Sequence, residues 1–323
     1  MLYNFLQIPA RIALHFWCKN LTINNKSILK HNGPLLIAAN HPNSFLDAIL
    51  LCSIFKNPIY SLARGDAFKN KTVNKILHSL KMFPVYRVSE GVENLEENYK
   101  TFDKCLDVFK QNGIVLIFSE GKCINEWNLR PLKKGTARLA MSAWEQGISL
   151  QIIPLGINYN SFTNFGKNII LNFGNIITKQ NIALEKEETE GKKIQTFNAV
   201  LKTNLENLVI QSKPVDKKFI ATTFNTKENN LKKILLFIPA LFAYILHAAL
   251  YIPVQKFAFK KFGKIDHYDS VMVAMLLLLY PIYLLLIACA VFFIWGSYWW
   301  LATFSLFPFT AWAYISVKNS FNT

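Results

Sequence analysis

The sequence is short of acid. Asp and Glu number 20 against 36 Lys and Arg, a formal charge of +16 over 323 residues. Such an imbalance points to an anionic partner, either nucleic acid or a membrane surface. Hydrophobic residues make up 52% of the chain and run in long uncharged stretches, which favours the membrane. No recognition helix and no interleaving of basic and aromatic residues stands out, so no nucleic-acid partner is expected. Cysteine is scarce as well: Cys18, Cys52, Cys105, Cys123 and Cys289 form no C-x-x-C pair and no ligand spacing with histidine. No structural zinc site is therefore expected, and an odd, scattered set reads as reduced thiols in a cytosolic compartment. A small-residue cleavage site after the apolar N-terminus is also missing, which argues against a cleavable signal.

What is present divides near residue 232. Upstream, apolar stretches of strand length alternate with polar helical ones, the pattern of an α/β domain. Candidate strands are 34–39, 57–62, 83–86, 114–119, 150–155 and 168–173, with helices at 45–55, 70–81, 94–112 and 130–146. A Lys/Glu/Asn-rich stretch over 178–232 reads as surface helices and a linker. At the N-terminus, Leu2, Phe5, Ile8, Ile12 and Phe16 make an apolar face interrupted by Arg11, His15 and Lys19. This predicts an amphipathic helix over 1–22 lying in a membrane interface.

Downstream, three apolar segments follow. Residues 271–295 and 297–317 carry no charge and are long enough to cross a bilayer as a hairpin turning near Gly296. Trp295, Trp299 and Trp300 would form an interface belt at the turn. The 234–254 segment has lysines on both sides and contains Pro239 and Pro253. It reads as a re-entrant or interfacial hairpin broken at a proline, with both ends on the cytoplasmic side. The expected organisation is therefore an interfacial helix at 1–22, an α/β domain at 23–230 and a membrane region at 231–323.

Chemistry concentrates in the α/β part. The strand at 34–39 ends in Asn40-His41-Pro42-Asn43-Ser44-Phe45-Leu46-Asp47. A histidine with a carboxylate to orient it is the minimal kit for general-base catalysis, and it needs no Ser or Cys nucleophile if it activates a substrate hydroxyl. Five residues separate His41 from Asp47. On a regular helix the pair would be badly aligned, because each residue rotates the side chain by about 100°. Pro42-Asn43-Ser44 must then form an irregular turn and N-cap before the helix begins.

Three further blocks follow in order. Met82-Phe83-Pro84-Val85-Tyr86-Arg87 is preceded by Ala63-Arg64-Gly65-Asp66-Ala67-Phe68; Phe118-Ser119-Glu120-Gly121-Lys122 is followed by Leu132-Lys133-Lys134-Gly135-Thr136-Ala137; Ile152-Ile153-Pro154-Leu155-Gly156-Ile157 closes the series. With the His41–Asp47 block, these resemble the four blocks of the lysophosphatidate/glycerol-phosphate acyltransferase family. The long His-Asp spacing and the hydrophobic C-terminal segments resemble the fungal-type glycerol-phosphate subgroup.

The resemblance implies an acyltransferase-type mixed sheet flanked by helices. It also implies a membrane enzyme with a cytoplasmic catalytic domain, acting in phospholipid synthesis without a bound cofactor or metal. An acyl thioester, acyl-CoA or acyl-ACP, would be the donor, and a glycerol phosphate or lysophosphatidate the acceptor. His41 would be the base and Asp47 its partner. Arg87 would hold the acceptor phosphate, with Arg64 and Lys122 as weaker candidates; Glu120 and Gly121 would shape the acceptor site, and Pro154 marks the fourth block. Lys122 stands where the family usually has a hydroxyl, which bears on the acceptor's identity more than on the reaction. Another lysolipid, such as one with an amino-acid headgroup, is the alternative acceptor. An inactive membrane scaffold with this fold is the alternative of another class.

Overall fold

In the computed structural model, residues 2–86, 95–183, 187–212, 216–225, 230–296 and 298–318 are described. Seven strands form one sheet: β1 (Cys18–Ile23), β2 (Leu35–Ala39), β3 (Ile59–Arg64), β4 (Met82–Val85), β5 (Ile114–Phe118), β6 (Gln151–Tyr159) and β7 (Lys167–Phe173), in the order β1-β7-β6-β2-β5-β3-β4. All neighbours pair parallel except β6 with β7. Parallel strands covered on both faces should be apolar throughout, and Leu-Leu-Ile-Ala-Ala of β2 is fully buried.

The alternation of side chains splits the core in two. Leu36, Ala38, Val115 and Ile152 face one layer, built with α4 (Leu95–Lys110), α5 (Lys134–Glu145) and α6 (Glu190–Glu206). Leu35, Ile37, Ala39 and Leu116 face the other, where Leu46, Leu50 and Leu51 of α2 (Phe45–Ile54) pack. Fully burying each such leucine stabilises the fold by about 1.5–3 kcal/mol.

The sequence expectations need three corrections here. The N-terminal helix α1 ends sooner than residue 22, spanning Leu2–Trp17, and the chain continues directly as β1. Thr22 and Ile23 are β-branched, and an edge beside β7 is open to receive them. The polar 178–232 stretch does not lie wholly on the surface, because α6 buries Ile194, Phe197, Leu201 and Leu205 under the sheet. The 234–254 segment is not broken at a proline: it lies within one helix, α8 (Asn230–Phe262), that passes through Pro239 and Pro253.

Short helices α3 (Lys71–Ser79) and α7 (Lys217–Thr223) complete the domain's periphery. Two more helices follow α8: α9 (Tyr268–Trp295) and α10 (Trp300–Val317). These three are long and apolar enough to cross a membrane. Their large side chains are bare to an unusual degree, among them Ile234, Leu278, Phe293 and Leu306. Gly296 ends α9 in the left-handed conformation, φ 57°, at the expected turn.

Candidate active site

Ligands of open α/β sheets bind beyond the carboxyl ends of the strands. At that edge β2 delivers His41 and β5 delivers Glu120. Asn40 pins the end of β2 by a reciprocal pair, its Nδ2 donating to the Ile157 carbonyl at 3.1 Å and its Oδ1 accepting from the Ile157 N–H at 2.7 Å.

His41 Nδ1 lies 2.9 Å from Asp47 Oδ2. An ionised carboxylate can only accept, so Nδ1 is the donor of this bond, and in the neutral ring the lone pair lies on Nε2 at the opposite edge. The ring stacks on Phe118 with centroids 3.8 Å apart and planes 9° from parallel. Ring position is thus fixed by one hydrogen bond and one flat contact.

The extra residue between His41 and Asp47 is absorbed ahead of α2, which begins only at Phe45. Ser44 takes φ 52° and ψ −144°, a conformation that L-residues rarely adopt and that costs on the order of 1–3 kcal/mol unless its surroundings enforce it. Ser44 does not cap the helix with its side chain. Its N–H donates to Cys123 Sγ at 2.8 Å, and its Oγ meets His267 Nδ1 at 2.7 Å. Burial, and then the Asp47 carboxylate, push the Cys123 thiol up to about 12, so it stays protonated.

Asp47 is wholly buried, with a hydrogen bond for each lone pair direction that matters. Besides His41, Oδ2 accepts the Asn43 N–H at 2.9 Å, and Oδ1 accepts the Tyr159 hydroxyl at 2.7 Å. Burial, reinforced by Asp47 itself, raises the Tyr159 hydroxyl well above the usual phenol range, so it remains a donor.

Glu120 is buried beside the pair. Its Oε2 accepts the His41 N–H at 2.9 Å and Arg130 Nη2 at 2.7 Å, and its Oε1 accepts the Arg130 N–H at 2.8 Å. Arg130 also reaches Glu126 and the Lys122 carbonyl. Glu120 therefore ties the His41 backbone to the 119–133 loop. At Gly121 φ is 67°, and a Cβ there would sit 2.9 Å from Lys133 Cγ.

Of the other expected site residues, Lys122 is exposed on the same turn. Arg64 pairs with Asp66 on the surface at 2.5 Å. Pro154 is buried in β6, in register with Ala38 of β2. Arg87 lies outside the described residues. Arg130, Tyr159, Cys123 and His267 were not expected. A signal existed for Tyr159, which shares the face of Ile153, Leu155 and Ile157 along β6. Arg130 opened the expected helix over 130–146, but α5 begins only at Lys134 and Arg130 lies in the loop before it.

Residues 20–158 match the family model described as Acyltransferase, a span that includes His41, Asp47, Glu120 and Arg130 and stops one residue before Tyr159. No curated protein matches the chain. Among solved structures, the chain is similar to the 1-acyl-sn-glycerophosphate (LPA) acyltransferase PlsC of Thermotoga maritima at 13% identity, with a TM-score of 0.45 over 64% of this chain and 79% of that one.

Proposed function

From an acyltransferase-family domain at residues 20–158, we propose that this chain is a membrane-bound O-acyltransferase in phospholipid synthesis. It transfers a fatty acyl group from acyl-CoA or acyl-ACP to the hydroxyl of a glycerol phosphate or lysophosphatidate. The observation that carries the reading is the 2.9 Å contact of His41 with Asp47 at the carboxyl edge of the sheet.

His41 Nε2 removes the acceptor hydroxyl proton as the oxygen attacks the thioester carbonyl. Asp47 keeps the proton on Nδ1 and stabilises the imidazolium that forms. When the tetrahedral intermediate collapses, the C–S bond breaks and His41 returns the proton to the departing thiolate. Base and leaving-group acid are the same residue, so the ring ends the cycle as it began.

Lys122 follows Gly121 on the turn and the Lys133 side chain runs beside Gly121, which favours an anionic acceptor. Arg87, two residues past β4, is the proposed phosphate ligand, because a guanidinium supplies both charge and paired donors. The exposed apolar surfaces of α8, α9 and α10, with Phe5, Ile8 and Ile12 of α1, support membrane attachment. We place the catalytic domain on the cytoplasmic face, where anionic lipids attract juxtamembrane lysines by about 1 kcal/mol each.

The test is acyl transfer by the purified chain from acyl-CoA and acyl-ACP to glycerol 3-phosphate, dihydroxyacetone phosphate, lysophosphatidate and a lysoaminolipid. Activity with a phosphorylated acceptor, lost selectively in Arg87→Ala, supports the reading. Activity with the lysoaminolipid alone, unaffected by Arg87→Ala, contradicts the acceptor assignment.

A further inference from the structure

Two residues of the turn that absorbs the extra residue between His41 and Asp47 are held from a remote part of the chain. Asn43 Nδ2 donates to Asp269 Oδ2 at 2.8 Å across 226 residues of sequence, and Ser44 Oγ meets His267. Asp269 stands in the first turn of α9, the most apolar of the three long helices, and His267 precedes it.

Asp269 is wholly buried and gathers more than Asn43. Its Oδ2 also accepts Trp17 Nε1 at 3.1 Å and pairs with the buried Lys167 ammonium. Trp17 closes α1 and Lys167 opens β7. One residue before His267, Asp266 Oδ1 accepts the Asn125 N–H at 2.8 Å, on the loop that carries Glu120 and Arg130. The lead-in to α9 therefore grips both loops at the carboxyl edge of the sheet.

We propose that the start of α9 is a positioning element of the active site, with Asp269, through Asn43, holding the turn that brings Asp47 to His41. The physical requirement is the unfavourable backbone at Ser44, which needs outside restraint to persist. That restraint comes from Asp269 on Asn43 and from His267 and Cys123 on Ser44. If α9 served only as an anchor, the apolar contacts of Met272 and Val273 would suffice, and no buried carboxylate would be directed at the turn. The inference rests on His41 acting as the base, as proposed above. Its consequence is that the membrane helix and the catalytic geometry are one unit, so the depth of α9 sets the site's height above the lipid.

The experiment compares two double variants of the full-length protein in detergent or bilayers. Removing Asp269 alone would strand the Lys167 charge, so both partners are exchanged. K167M/D269L removes every polar group of the pair, whereas K167Q/D269N keeps an oxygen for Asn43. We expect K167M/D269L to lose about 10-fold or more in kcat, since small misplacements near the chemistry are costly, with KM for the acyl donor little changed. K167Q/D269N should restore most of the loss. Asn43→Ala should lower kcat in the wild type and add almost nothing in K167M/D269L, because contacting residues are non-additive. If the doubles fold poorly, Asn43→Ala and Ser44→Ala still report, and unchanged kcat in both overturns the inference. A wild type without acyl transfer overturns the functional reading and this inference with it. An active wild type whose K167M/D269L variant keeps its kcat, or loses it equally with K167Q/D269N, overturns this inference alone.

Discussion

Tyr159 donates its hydroxyl to Asp47 Oδ1 at 2.7 Å, on the carboxylate oxygen that His41 does not use. The phenol comes from the last residue of β6 and the carboxylate from the first turn of α2, so sheet and helix are locked together at the His41–Asp47 pair. Removing the hydroxyl leaves one buried lone pair of a charged group unsatisfied. Hydrogen bonds to charged groups contribute about 1.5–3 kcal/mol. Tyr159→Phe should lower stability by that amount in denaturant titrations and reduce kcat, with KM for either substrate less affected.

Glu120 and Arg130 form a buried ion pair that also carries the His41 N–H. Arg130→Ala strands the carboxylate, a change that costs about 3–5 kcal/mol for buried pairs. The variant should show a lower urea midpoint and lose activity with it. Glu120→Gln keeps a single acceptor oxygen, enough for only one of the two backbone N–H groups that Oε1 and Oε2 now serve, and should lower midpoint and activity as well. Unchanged stability and activity in both variants would mean that charge pairing contributes little at this position.

Gly121 sits at φ 67° on the same loop. An alanine there pays the left-handed penalty of about 1–2 kcal/mol. The side-chain clash adds less, because Lys133 Cγ belongs to a flexible chain that can turn away. Gly121→Ala should therefore shift the thermal midpoint down modestly, and a larger effect on acceptor KM than on donor KM would mark the loop as part of the acceptor site.

Alkaline pH should destabilise the fold through its buried thiols. Burial pushes Cys105 up to about 12 from an ordinary 9.0. Its folded value is raised, so the unfolded chain gives up the proton first. The stability it contributes is complete below about pH 9 and is lost as pH rises towards 12. The slope approaches about 1.4 kcal/mol per pH unit for one such group. Cys105→Ala should flatten the fall in stability across that window by this amount, whatever its effect at neutral pH.

The sheet was largely legible because its strands obey one physical rule. Leu35 to Ala39 and Ile114 to Phe118 are continuous apolar runs, which parallel strands covered on both faces require. β1 escaped notice since its polar Lys19 and Asn20 follow directly on a helical pattern, and only pairing with β7 makes it a strand. Pro239 and Pro253 suggested a broken segment, yet α8 continues through both. An apolar helix can accommodate proline where neighbouring helices and local adjustments satisfy the freed backbone.

At the site, His41 and Asp47 stood out because the histidine ends a readable strand with a carboxylate a few residues on, whereas Glu120 entered only through the resemblance of its block to the acyltransferase family. The turn at Pro42-Asn43-Ser44 was also foreseeable from the spacing, since a regular helix could not have brought the pair together. Ser44 ends that turn at the N-cap position of α2, but its side chain meets His267 rather than the helix's own N–H groups. Asp269 and His267 had no local signal at all. Their relation to Asn43 and Ser44 exists only once the chain has folded back from its membrane region.

The most direct test of His41 as the base is thioester turnover coupled to acyl transfer, measured as free CoA and acylated product from the same reaction. With the native fold verified for each variant, His41→Ala should lose about 100-fold to 10,000-fold in kcat, the range general-base catalysis supplies. Asp47→Asn, which retains a side chain of the same shape, should retain more. A His41→Ala enzyme that forms product at a rate close to wild type would contradict the assignment of His41 as the residue that takes the acceptor's proton.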